Sequence, residues 1–142
     1  MTQLATFVRG SAAALLLSAS LASMASATTT YAGPPLHLIC EGGASETVCQ
    51  AIAGALSAET QGRYVRVLAI SEVDLDAVPL LIRYVEEHRA ADHLSGHLAW
   101  RVAGGTTGTG PAVALDAMDA PLQAELLARF ARQLVRGTRI PM

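Results

Sequence analysis

Three of the chain's four histidines, His88, His93 and His97, fall within ten residues, with the acid Asp92 among them and Glu87 just before. Imidazole beside carboxylate is the pairing used for proton transfer and, with further donors, for metal ligation. On an extended chain His93 and His97 share one strand face about 13 Å apart, too far to ligate one metal ion at distances near 2 Å. A metal site would have to join His93 to His88 or Asp92 across a turn. Shared ligation is therefore not expected and a solvated hairpin end is the simpler reading. The segment is nonetheless where a small hydrolase or metal-dependent enzyme would draw on Glu87, Asp92, His93 and His97.

The other chemistry-bearing patterns are weaker. Asp74 and Asp76 form a D-x-D pair, but a calcium loop needs more oxygen ligands and a distal glutamate, so an acidic turn is expected. Gly104 to Pro111, GGTTGTGP, is rich in glycine like a phosphate cradle. It lacks the lysine of G-x-x-x-x-G-K-[ST] and precedes a strand, which makes it a hairpin loop. No G-x-S-x-G elbow occurs, and Ser45, Ser71 and Ser95 read as cap, turn and strand residues. Arg129, Arg132 and Arg136 line one side of the last helical segment, with Arg139 just beyond. Such a stripe is the polar face of an amphipathic helix with cations near its C-terminus. It is also the candidate binding surface for an anionic partner such as a polysaccharide, lipid headgroups or an acidic protein.

Cys40 and Cys49 are the chain's two cysteines. The opening stretch, MTQLATFVRGSAAALLLSASLASMASA, has Arg9 as its one charge, an apolar run from Ala12 to Leu21 and a small-residue ending, Ala25-Ser26-Ala27. That is the pattern of a cleaved export signal over residues 1–27, its apolar run being shorter than the roughly 20 residues a membrane span requires. Ile39 before Cys40 does not fit a lipid-attachment motif. The expected destination is the periplasm or the medium, without a stable membrane span once the signal is removed. An oxidising compartment makes the Cys40–Cys49 pair a structural disulfide, since eight intervening residues do not suit a C-x-x-C redox pair.

These residues need elements to hold them. Residues 28–35, TTTYAGPP, are read as an extended, mobile lead-in to a single domain over 36–142. Leu36 to Cys40 is a strand. Ser45 caps a helix from Glu46 to Ala58, with Val48, Ile52 and Leu56 on one face. Tyr64 to Ile70 is rich in β-branched residues and nearly all apolar, so it is expected as a central strand. Leu80 to Val102 alternates with period two, with Leu94, Gly96, Leu98, Trp100 and Val102 on one face and His93, Ser95, His97 and Arg101 on the other. A turn at Arg89 to Ala91 would fold it into a hairpin, with Glu87 opposite His93 and Arg83 opposite His97. Ala112 to Met118 is a fifth strand. Asp119 is expected to cap a final helix, with Pro121 in its first turn, Gly137 at its end and an apolar stripe of Leu122, Leu126, Leu127, Phe130, Leu134 and Val135.

The predicted fold is an α+β two-layer sandwich in the order β-α-β-β-β-β-α: a five-stranded, mostly antiparallel sheet with two helices on one face. This element order resembles that of small periplasmic α/β modules of cell-envelope assembly, such as the N-terminal domain associated with β-propeller translocation proteins. The resemblance lies in element order and transfers no residue roles.

At 142 residues, 51% hydrophobic and 15% charged, the chain supports one core and not a multidomain enzyme. Its ten basic residues are all arginine and its formal net charge is -2, which disfavours nucleic acid as a partner. The leading expectation is an exported, non-enzymatic accessory or binding module of the bacterial cell envelope, needing no cofactor. Its partner would be an envelope protein or an anionic surface component. Besides the hydrolase or metal-dependent enzyme at the 87–97 hairpin, the other alternative is a small-ligand carrier with a pocket between helix and sheet near Trp100 and Tyr84.

Overall fold

Alternating apolar residues build the first strand, β1 (Leu36–Glu41), in which Leu36 and Leu38 are fully buried on one face and Ile39 on the other. This computed structural model describes residues 33–41, 43–72, 74 and 76–142. The export segment expected at 1–27, and residues 28–32 of the lead-in, lie outside the described residues. Ser45 caps α1 (Glu46–Glu59) as expected, its side chain accepting from the Val48 N–H at 3.4 Å. Val48, Ile52 and Leu56 turn inward beside Ala53 and Ala55. The helix closes at Thr60, after which Gln61 (φ 56°) and Gly62 (φ 88°) reverse the chain.

The next strand, β2 (Val65–Leu68), runs parallel to β1 and is followed by a single 3-10 turn at Ile70–Glu72. Then come β3 (Leu80–Arg89), β4 (His93–Val102), β5 (Thr107–Thr109), β6 (Val113–Asp116) and α2 (Ala124–Gly137). The strand order is β2-β1-β3-β4-β5, with β6 also pairing with β4. β1 is parallel to both its neighbours, and the β3–β4, β4–β5 and β4–β6 pairings are antiparallel.

Both helices pack on one face of the sheet. A single core joins Val48, Ile52 and Leu56 of α1 and Leu127, Phe130 and Leu134 of α2 to Leu36, Leu38, Ile82, Tyr84, Leu94 and Leu98 of the strands. Tyr84 meets Phe130 edge to face, with centroids 6.3 Å apart and planes at 86°. Among the described residues no helix is long and apolar enough to cross a membrane.

The α+β two-layer class and element order are as expected, with four local corrections. First, β2 is an edge strand and not a central one. Tyr64, Val67 and Ile70 remain 54%, 38% and 63% exposed, because only β1 pairs with it. Second, the glycine-rich segment is ordered: Gly104 and Gly105 take φ values of 97° and 95°, the Val102 N–H donates to the Thr106 carbonyl, and Thr107–Thr109 adds a sixth strand. Third, the hairpin register differs. Arg83 stands opposite Ala99 and not His97, and a bulge at Glu87 takes up an extra residue before the turn, where the Ala90 N–H donates to the His93 carbonyl. Fourth, Asp119 does not cap α2. Met118 (φ 48°) and Asp119 (φ 68°) form a left-handed turn, and Gln123 occupies the N-cap without a side-chain hydrogen bond.

Candidate functional site

Because α1 and α2 cover one face, the opposite face of the sheet carries a mixture of polar and apolar side chains, and strand alternation decides which they are. In one row across the strands lie Leu68, Ile39, Arg83, Ala99 and Thr109. In the next lie Arg66, His37, Leu81, Arg101 and Thr107. Towards the hairpin end the same face carries Glu41, Val85, His97, Ser95, His93 and Asp116.

Most titratable groups on this face are paired with a neighbour. Arg83 Nη2 lies 2.6 Å from Glu41 Oε2, and Arg101 Nη2 lies 3.7 Å from Asp76 Oδ1, a carboxylate fully open to solvent. His97 Nδ1 lies 2.7 Å from Glu87 Oε1, a contact that the bulge makes possible. His93 Nδ1 lies 2.5 Å from Asp116 Oδ1, and the His88 ring packs on His93 with centroids 5.2 Å apart. The hairpin thus joins three of the four residues expected there, but in two separate pairs. Asp92 enters neither; its backbone carbonyl accepts from the Ala117 N–H at 2.8 Å. Among the described residues no group of three or more His, Cys, Asp or Glu side chains is placed to hold a metal ion.

His37 faces the other end of this surface, in a groove of ≈ 410 Å³ with Arg66, Leu68, Glu72 and Asp74. Its Nδ1 is buried without a hydrogen-bond partner. Burial, and then the charge of Arg66, hold its pKa below the ordinary imidazole value.

Between the Arg83 and Arg101 rows is a cup of ≈ 200 Å³ formed by Leu81, Arg83, Ala99, Arg101, Thr107 and Thr109. It exists because Ala99 is small where its neighbours along and across the strands are long. The period-two pattern already puts Arg101 on the polar face. The cup itself is not legible in the sequence, because its far wall, β5, lies in a segment whose glycines signal a loop.

Of the two residues expected to border a pocket between helix and sheet, Trp100 contributes with Gly108 to the lining of the cup described above. Tyr84 is fully buried in the core, and Trp100 lies against Gly108, where an added Cβ would overlap the indole. On the helix layer Arg129, Arg132 and Arg136 are all exposed. Arg136 Nε reaches Glu59 Oε1 at 2.7 Å, tying the end of α2 to the end of α1, while Arg132 rims a small-residue groove between the helices. Cys40 and Cys49 are joined as a disulfide with a Cα–Cα separation of 6.2 Å, linking β1 to the first turn of α1.

No family model matches the chain, and no curated protein matches it. Among solved structures it is similar to a PelC dodecamer from Paraburkholderia phytofirmans, with 11% identity and a TM-score of 0.46 over 72% of this chain and 87% of that one.

Proposed function

We propose that the chain is an exported, non-enzymatic module of the bacterial cell envelope that binds its partner through the open face of the sheet. The observation that carries this reading is the division of the fold. Both helices lie on one side, and the other side presents paired polar groups, Arg83–Glu41, His97–Glu87 and His93–Asp116 across β1, β3, β4 and β6, with Arg101 facing Asp76 of the preceding loop. Charges held in register on a sheet need little reordering on contact, which favours specific recognition. The export part rests on the signal pattern of residues 1–27 and on the disulfide, a bond that persists in oxidising compartments.

Site-specific photo-crosslinking in the native host tests it. A crosslinking residue in place of Ser95 or Thr109 is expected to give a discrete adduct in the envelope fraction, and one in place of Arg129 is not. Adducts formed only from the helix layer would overturn the reading.

The hairpin supports a second reading as a small hydrolase. A carboxylate on Nδ1 of each of His93 and His97 leaves Nε2 as the basic atom of the ring, and Ser95 lies between them on the same face. Ester hydrolysis lost on replacing His93 or His97 by glutamine would favour it over the binding module.

A further inference from the structure

The geometry points to the cup at Leu81, Arg83, Ala99, Arg101, Thr107 and Thr109 as a subsite for the carboxylate-bearing sugar of an acidic glycan. This inference rests on the open face being the binding surface and names the class of ligand it would take. Arg83 and Arg101 line the cup diagonally, one from each strand of the hairpin, and each carries a planar guanidinium group at its edge. A guanidinium matches a carboxylate through two parallel N–H donors. The exposed Thr107 and Thr109 stand opposite them on β5, and a hydroxyl both donates to and accepts from sugar hydroxyls. The floor is apolar: beside the buried Leu81, the part-exposed methyl group of Ala99 is the contact available to the C–H side of a sugar ring. The helix-layer arginines, by contrast, project from a single helix, with no second strand to supply facing hydroxyls.

Asp76 indicates how the site is held when empty. Its carboxylate, wholly exposed and 3.7 Å from Arg101, is a loose partner of the kind that contributes little in water. It lies with Arg101 along an adjoining hollow and would compete with an incoming carboxylate for that same guanidinium. Glu41 holds Arg83 more closely, at 2.6 Å from the β1 side, and so fixes that guanidinium beside the cup. Removing the negative charge of Asp76 should therefore tighten binding. An Arg101–Asp76 pair that served only stability would give no such gain.

The chain's one tryptophan, Trp100, lies on the β4–β5 pair that forms the cup, so its fluorescence reports occupancy of the purified protein. Titration with oligogalacturonate is expected to give a saturable change, and its neutral methyl ester none. Arg101→Gln should weaken binding at least tenfold. Ala99→Leu should do the same by filling the cup without altering charge. Asp76→Asn should tighten binding severalfold, and Arg132→Gln should leave it unchanged. Equal binding of the methyl ester, equal competition by inorganic phosphate, or loss on Arg132→Gln but not on Arg101→Gln would each overturn the inference. A flat titration alongside open-face crosslinks would remove the glycan subsite and leave the binding-module reading standing. Crosslinks confined to the helix layer would remove that reading itself.

Discussion

Gly96 holds a place on β4 that no larger residue could share. A Cβ there would lie 2.6 Å from the Val85 carbonyl oxygen and 2.7 Å from Cε2 of Tyr84, a backbone atom and a fully buried ring, neither of which can swing aside. Gly96→Ala should therefore cost on the order of 2 kcal/mol by overpacking, read as a lower urea midpoint; an unchanged midpoint would show that the strand yields. The ring that Gly96 accommodates carries a hydroxyl with no hydrogen-bond partner, and its burial pushes the Tyr84 pKa well up. Removing an unsatisfied buried group relieves a desolvation penalty, so Tyr84→Phe should leave stability unchanged or raise it, and a loss above ~1 kcal/mol would contradict that account. His37 gives a pH dependence of definite sign. Its folded pKa lies below the ordinary 6.5, through burial and Arg66, so as pH falls the unfolded chain takes up this proton first. The contribution is complete above that value and erodes on acidification. His37→Gln should narrow the stability gap between about pH 7.5 and about pH 5.5 in matched denaturation curves; an unchanged or wider gap would refute it.

Elements were legible where one periodicity ran unopposed and illegible where lateral position or local counting decided. Val48, Ile52 and Leu56 defined α1, and alternation through Leu94, Leu98 and Trp100 defined the inner face of β4. The apolar density of Tyr64–Ile70 signals a strand but says nothing about how many neighbours that strand has, and β2 pairs with β1 alone. The hairpin register depended on one bulged residue, Glu87, which no pattern of alternation announces. That bulge also decides the site, since it carries Glu87 to His97. At the start of α2 the acid suited to capping, Asp119, is used in a left-handed turn, and Gln123 sits at φ -90°, ψ 156° with its carbonyl accepting from the Leu127 N–H but its side chain making no cap bond. The backbone there already has the geometry that a capping residue adopts. Gln123→Asp should stabilise the protein by about 0.5 to 1 kcal/mol through one accepted N–H bond and favourable charge at the helix N-terminus. A thermal midpoint that fails to rise would mean that the first turn is satisfied by other means.

At the scale of the whole molecule, the helices cover one face of the sheet and leave the other uncovered, so the constraint that holds β1 to α1 also sets the sheet beneath the candidate site. The Cys40–Cys49 bridge joins the end of β1, next to Glu41, to the first turn of α1. Spacing and compartment made this pairing legible, because eight residues with a glycine pair allow the chain to return on itself. What spacing could not supply is the consequence for the open face: Glu41, adjacent to Cys40, is the partner of Arg83 at the edge of the cup. Closing a loop of this length lowers the entropy of the unfolded chain and is worth roughly 2 to 3 kcal/mol. For a domain near this size that corresponds to a drop in Tm on the order of 10 °C on reduction. Replacing both cysteines by alanine should reproduce the loss under oxidising conditions and abolish any further effect of reductant. The Arg83–Glu41 geometry, held also by the β1–β3 ladder, should survive in the folded fraction, so binding to the open face should weaken less than twofold below the lowered Tm. A midpoint unmoved by reductant would mean that the loop is ordered without its bond. Binding lost together with the bond would mean that the disulfide, and not the ladder, positions the face.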